Sequence, residues 1–182
     1  MTATILIPQH SKTLSLEDWL ENPPKRTEWV NGELIAKNSA TLEHGKIQSR
    51  LSYYWTNYKD LSSQRGSVYI SPPCRTQEQG RSPDVAYLTP ELVAEYGDAK
   101  VLPRSFPLTA EIVSPTDFAE DVIAKAEEYL RSGAEEVWLV FPENCWVIVV
   151  TSANKQIFTS GETVSTQKVL LGFKIAIDEL CC

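Results

Sequence analysis

Residues Pro107–Phe141 read PLTAEIVSPTDFAEDVIAKAEEYLRSGAEEVWLVF, and the fold turns on this stretch. Leu108–Val113 is an apolar run of strand length held between Pro107 and Pro115. From Asp117 to Ser132 the residues Phe118, Val122, Ala126, Tyr129 and Leu130 fall on one face at helical spacing, and Gly133 supplies a C-terminal stop. Val137–Phe141 is strand-like again, and Trp146–Thr151 follows after a tight Pro142–Glu143–Asn144 turn. A strand, a one-sided helix and two further strands in succession predict a sheet covered by helices.

Working outward, Val68–Ile70 and Asp84–Leu88 read as strands separated by a Pro/Gly/Gln-rich loop from Pro72 to Gly80, with a short helix over Glu91–Tyr96. Between Thr41 and Asp60, Ile47, Leu51, Tyr54, Trp55 and Tyr58 recur at helical spacing and predict a long helix. Asn31–Gly32, set between Thr27–Val30 and Glu33–Ala36, is the strongest turn signal in the chain, because both residues tolerate positive φ. Leu14–Leu20 predicts a short helix capped by Ser15 with Asp18 in the reciprocal position, ending before Pro23–Pro24. Lys155–Ile177 is turn-rich and predicts edge strands. The order implies an α/β (α+β) architecture, a mixed central β-sheet flanked by α-helices. At 182 residues, against roughly 150 per domain, one domain over 1–182 is expected.

The composition is that of a globular chain, with 42% hydrophobic and 23% charged residues. Seventeen Lys and Arg against 24 Asp and Glu give a net charge of −7. Such a balance excludes affinity for nucleic acid through a broad basic surface, but not a metal-dependent enzyme that meets it at a local site. The longest apolar stretch, Cys145–Val150, is far too short to span a bilayer, and the start MTATILIPQH lacks the features of a secretory signal, so a cytoplasmic protein is expected. Cys74 and Cys145 read as free thiols and Cys181–Cys182 as a frayed tail. No glycine-rich phosphate loop occurs.

The informative residues are polar groups placed where the pattern predicts burial, because an unpaired buried charge costs several kcal/mol. Asp84 opens an apolar strand after Pro83; a turn aspartate in water is the ordinary alternative. Glu111 lies inside an otherwise apolar strand, although a strand with one wet face would expose it. Lys125 falls at the margin of its helix's apolar face, where most lysines snorkel. His44 sits on the apolar stripe of the long helix, where a hydrogen-bonded structural histidine competes with a ligand. Glu28 alternates with Val30 and so either faces inward or stands as an exposed hairpin charge. Together these are the parts of a hard-cation hydrolytic site: oxygen ligands for Mg²⁺ or Mn²⁺, and a lysine to orient a nucleophile or stabilise developing charge.

In this order, Pro83–Asp84, then Glu111–Ile112–Val113, then Lys125, the chain resembles the PD-(D/E)xK restriction-endonuclease-like superfamily, and more closely its Uma-two family of endonucleases. The shared signals run almost end to end: Thr27–Leu34, Glu43–His44, Arg81–Val85, Ala110–Pro115, and Lys125 through Tyr129–Ala134 to Glu136–Val140. The resemblance implies a restriction-endonuclease-like fold and hydrolysis of nucleic-acid phosphodiesters, DNA first, with Mg²⁺ or Mn²⁺. It implies Asp84 and Glu111 as catalytic, metal-binding carboxylates, with Glu28 as a further ligand and Lys125 as the catalytic lysine. It also implies His44 in contact with the scissile phosphate or in proton transfer, its place on an apolar face suiting a buttress of the site equally well, and a homodimer. The superfamily's lysine usually stands two residues after the second acid, where this chain has Val113; Lys125 takes its place on the following helix. A non-catalytic nuclease-like binding module and a hydrolase of smaller phosphorylated substrates are the alternatives. Arg75, Arg81, Lys100 or Arg104 at the rim of the pocket would favour nucleic acid.

Overall fold

The computed structural model describes residues 14–37 and 41–181. In chain order the elements are α1 (Leu16–Glu21), β1 (Thr27–Val30), β2 (Glu33–Ala36), α2 (Leu42–Leu61), β3 (Ser67–Ile70), β4 (Cys74–Arg75), β5 (Gly80–Arg81), β6 (Val85–Leu88) and α3 (Pro90–Tyr96). There follow β7 (Leu108–Ile112), α4 (Ala119–Arg131), β8 (Glu136–Phe141), β9 (Trp146–Thr151), β10 (Lys155–Phe158), β11 (Thr163–Ser165), β12 (Lys174–Ala176) and α5 (Ile177–Cys181).

The central sheet has the order β10-β9-β8-β7-β6-β3. Its one parallel pair is β7 with β8, in register Leu108↔Glu136 through Ile112↔Val140, and α4 makes the crossover that parallel pairing demands. Alternate residues of β7 serve two cores. Leu108, Ala110 and Ile112 pack with Ile47, Leu51 and Trp55 of α2, while Ala126 and Tyr129 of α4 join Ala86, Leu88, Val137, Leu139 and Val150 on the other face. Both faces are covered, so every residue of β7 is buried. Each large apolar side chain buried in this way contributes about 1.5–3 kcal/mol, and Trp55 adds an edge-on contact with Trp138 at 5.8 Å between ring centroids.

A second sheet, β2-β1-β5-β4, carries the hairpin. Asn31 (φ 52°) and Gly32 (φ 88°) turn it, a backbone whose twist matches the flanking strands. The capping box of α1 forms as expected between Ser15 and Asp18. Trp19 of α1 is fully buried, and its ring lies directly on Gly80, where any side chain would collide with it.

Several expectations are corrected. The loop from Pro72 to Gly80 contains β4 and opens onto β5, joined by Cys74↔Arg81 and Arg75↔Gly80. The helix expected from Asp117 begins at Ala119, because Asp117 instead accepts the Ser114 N–H at 2.8 Å in a turn; Phe118 is left at the cap, 75% exposed rather than on the inner face. Lys155–Ile177 holds the strands β10, β11 and β12, and α5, which follows them, makes Cys181 a buried helical residue rather than part of a frayed tail; Cys182 lies outside the described residues. Among the described residues no helix is long and apolar enough to cross a membrane.

Candidate active site

Strands β1, β5 and β7, helices α2 and α4, and the chain just after β2 and just before β6 bring the charged residues together. Asp84 precedes β6, and its N–H continues the β6–β7 ladder by donating to the Ala110 carbonyl at 3.0 Å. Its side chain is 3% exposed: the Ile112 N–H donates to Oδ2 at 2.8 Å, and His44 Nε2 lies 3.1 Å from the same oxygen. The turn aspartate in water is therefore ruled out. Lys37, immediately after β2, donates to Asp84 Oδ1 at 2.8 Å and to the Ser82 carbonyl at 2.6 Å. Burial pushes the Asp84 carboxyl up, but His44, Lys37 and the Ile112 N–H together outweigh it and hold the group well below the usual carboxylate range.

Glu111 faces the α4 side of β7, 8% exposed. Its Oε1 accepts from Tyr129 Oη at 2.7 Å and from Lys125 Nζ at 3.0 Å, while no hydrogen bond reaches Oε2 among the described residues. Burial raises its pKa; Lys125 offsets this in part, and the neighbouring Asp84 and Glu28 charges push it up further. Position 113 holds a buried valine, and it is the α4 helix that delivers an ammonium to the second acid.

Lys125 also donates to Glu28 Oε1 at 2.9 Å. Burial works against its charge, but Glu111 and Glu28 raise its pKa above the ordinary lysine value, so it stays an ammonium. Glu28, 6% exposed, accepts from the Ser82 N–H at 3.0 Å through Oε1 and from Arg81 Nη1 at 3.1 Å through Oε2. Burial would raise its pKa, yet Lys125, Arg81 and Lys37 bring it down to about 2. With both oxygens engaged, Glu28 holds cations in place.

His44 Nδ1 is buried without a hydrogen bond. A carboxylate can only accept, so the proton belongs on Nε2, and the ring buttresses Asp84. Gln48, one helical turn on, donates to the Asp84 carbonyl at 2.8 Å and fixes the same segment from α2.

Glu28, His44, Asp84, Glu111 and Lys125 thus line one cavity of about 660 Å³, with Lys37, Ile35, Gln48 and Asp117. A second recess of about 660 Å³ adjoins it across Glu28, Glu111 and Lys125, and reaches Phe118, Asp121, Glu128 and Arg131. Of the basic residues expected at the rim, Arg81 turns inward onto Glu128 and Glu28, and Arg104 donates to the Gly133 carbonyl at 2.7 Å. Arg75 lies 3.8 Å from Glu17, and Lys100 lines neither recess. The cationic wall is made instead by Lys25, Arg26 and Lys37.

Lys37 and Glu128 are the members that sequence reasoning missed, and Arg81, expected at the rim, joins the charge cluster instead. Lys37 was readable: Glu28 pairs with Ile35 across the hairpin, and the Lys37 N–H bonds the Arg26 carbonyl at 2.8 Å, so an inward Glu28 implies an inward Lys37 two residues beyond its partner. Arg81 and Glu128 meet across 47 residues, and nothing local marks them.

No three His, Cys, Asp or Glu side chains among the described residues form a ready-made metal cage. The open Glu111 oxygen beside Asp84 does fit a hard cation such as Mg²⁺, which keeps several waters and takes only one or two carboxylates together with phosphate oxygens.

The family model described as "Putative restriction endonuclease" matches residues 13–178. No curated protein matches the chain. A crystal structure titled as a putative nuclease belonging to DUF820, from Anabaena variabilis ATCC 29413, superposes with a TM-score of 0.80 at 17% identity, covering 91% of this chain and 96% of that one. At that identity the likeness shows the fold. The match along nearly the whole chain shows the family: this protein belongs to Uma2, the family described as putative restriction endonucleases.

Proposed function

We propose that the protein is a metal-dependent endonuclease that hydrolyses phosphodiester bonds of nucleic acid, DNA in particular, with Mg²⁺ or Mn²⁺. The observation that carries this reading is the meeting of Asp84 and Glu111 at one end of the β6–β7 ladder, with Lys125 at 3.0 Å from Glu111. Asp84 and Glu111 are the residues that would hold the cation. When bound, it supplies a water of lowered pKa and a Lewis acid for the phosphoryl oxygens. The Ile112 N–H and His44 fix the Asp84 carboxylate in advance. Lys125, kept charged by Glu28 and Glu111, offers its remaining N–H to the charge that develops on the phosphate. Glu28 acts on the reaction by holding Lys125, Arg81 by holding Glu28, and the Tyr129 hydroxyl fixes the orientation of Glu111. The same reading takes 1–182 as one domain acting in the cytoplasm as a homodimer, which sedimentation checks.

The test is nicking of supercoiled plasmid. Wild type nicks with Mg²⁺ or Mn²⁺ and stops with chelator, while D84N and E111Q, folded by circular dichroism, lose at least about a hundredfold in rate. Undiminished nicking by D84N would overturn the assignment. Cleavage of a small phosphodiester with no action on DNA would instead favour a smaller phosphorylated substrate, consistent with the net charge of −7.

A further inference from the structure

Lys37 has a feature that the other cations of the site lack. Lys125 is clamped between two carboxylates, at 2.9 Å from Glu28 and 3.0 Å from Glu111. Arg81 is likewise held by Glu28 and Glu128. Lys37 has one carboxylate, Asp84 Oδ1 at 2.8 Å, plus the Ser82 carbonyl, and its side chain is 20% exposed on a flexible stem at the cavity wall. Asp84 Oδ2 is fixed by the Ile112 N–H and His44, so Oδ1 is the exchangeable oxygen.

We propose that Lys37 is the counter-cation that a divalent metal displaces from Asp84, and that the displaced ammonium then binds a non-bridging oxygen of the substrate phosphate. The inference rests on the metal-dependent reading above. A divalent cation and an ammonium cannot both sit at contact distance from one carboxylate oxygen in a half-buried site without strong repulsion, and the group with the weaker hold leaves. Lys37 has that weaker hold. Arg26, its cross-strand neighbour, and Lys25 line the same wall, so the released ammonium is stable there only with an anion between these cations, which is the place for a phosphate oxygen. Four cations, Lys25, Arg26, Lys37 and Lys125, and four carboxylates, Glu28, Asp84, Glu111 and Asp117, line this cavity; a divalent cation at Asp84 would make it net positive just as Lys37 is released.

The experiment is titration of Mn²⁺ alone into wild type and K37M, by calorimetry. K37M removes the competitor, so its Mn²⁺ Kd falls at least tenfold. Its Kd for a short DNA duplex in Ca²⁺ rises at least fivefold, because the phosphate ligand is gone. K37Q, compared by circular dichroism and the same titrations, serves if K37M does not fold. Wild type that binds Mn²⁺ with K37M unchanged or weaker sinks this inference alone. Wild type that binds no Mn²⁺ sinks the metal-dependent reading and the inference with it. Unchanged duplex affinity overturns the phosphate role.

Discussion

Replacing Lys125 by methionine keeps the volume and removes the ammonium that Glu28 and Glu111 share. Across 3.0 Å the attraction of Lys125 to Glu111 is about 5–6 kcal/mol at an effective dielectric near 20. Desolvation of the ammonium cancels much of this, and removing one partner of a buried pair costs about 3–5 kcal/mol. The Lys125 side chain is 18% exposed, so screening lowers the expected loss to about 2–4 kcal/mol at pH 8. The two acids bear the loss unequally. Glu28 retains Arg81 and the Ser82 N–H, whereas Glu111 retains only the Tyr129 hydroxyl. The folded pKa of Glu111 already lies above its ordinary value of 4.5, so the folded state keeps a proton that the unfolded chain releases. Its contribution is full below that ordinary value and is lost as pH rises through the folded pKa. Without Lys125 the folded pKa moves higher still, and the penalty grows with pH. Urea unfolding of K125M should therefore show a deficit that is larger at pH 8 than at pH 5, where the lost Glu28 partner still counts, and K125M/E111Q should recover part of it, with a coupling above about 1 kcal/mol. Equal deficits at the two pH values, or no recovery in the double variant, would refute this account of the pair.

Three further outcomes are expected. E28Q should flatten the acid side of the stability profile. The folded pKa of Glu28, about 2 against an ordinary 4.5, gives stability that is present above 4.5 and lost as pH falls toward 2; its removal costs on the order of 3 kcal/mol at pH 7, read as Tm from pH 7 to pH 3. E136Q should lose about 1–3 kcal/mol, because Glu136 accepts from Trp138 Nε1 at 2.6 Å and from the Gln167 and Lys168 N–H groups at 2.7 and 2.8 Å. An amide turns one of those acceptors into a donor, and a changed near-ultraviolet Trp138 signal in the variant checks it. G80A should cost about 1–3 kcal/mol, since its methyl group meets the Trp19 ring; an unchanged urea midpoint would show that α1 moves aside freely.

Where structure is set by neighbours in sequence, it was legible. Ser15 and Asp18 cap α1, Asn31–Gly32 turns the hairpin, and the apolar periods around Leu108 and Trp138 give the sheet. What escaped depends on distant partners. The strands β4 and β5 have two residues each, too few for any period, and exist because they pair with one another and β5 with β1. Phe118 fits the helical wheel yet falls outside the helix, because the Ser114–Asp117 turn delays its start. Asp84, Glu111, Lys125, Glu28 and His44 stood out as polar groups in apolar settings, and the structure brings all five to one cavity. The burial of Glu136 was not legible, because its donors Gln167 and Lys168 lie 31 and 32 residues away.

The parallel pairing of β7 with β8 places Glu111 and Lys125 in one continuous strand-helix-strand segment, so these two can find each other locally. Their other partner cannot: Glu28 is 97 residues from Lys125 and 54 from Ser82. Loop closure over such distances is costly until the intervening sheet is in place. The anion that holds the lysine therefore arrives only when the N-terminal hairpin docks on a finished sheet. A partly folded chain therefore lacks the assembled charge cluster, which is complete only in molecules that have finished their fold.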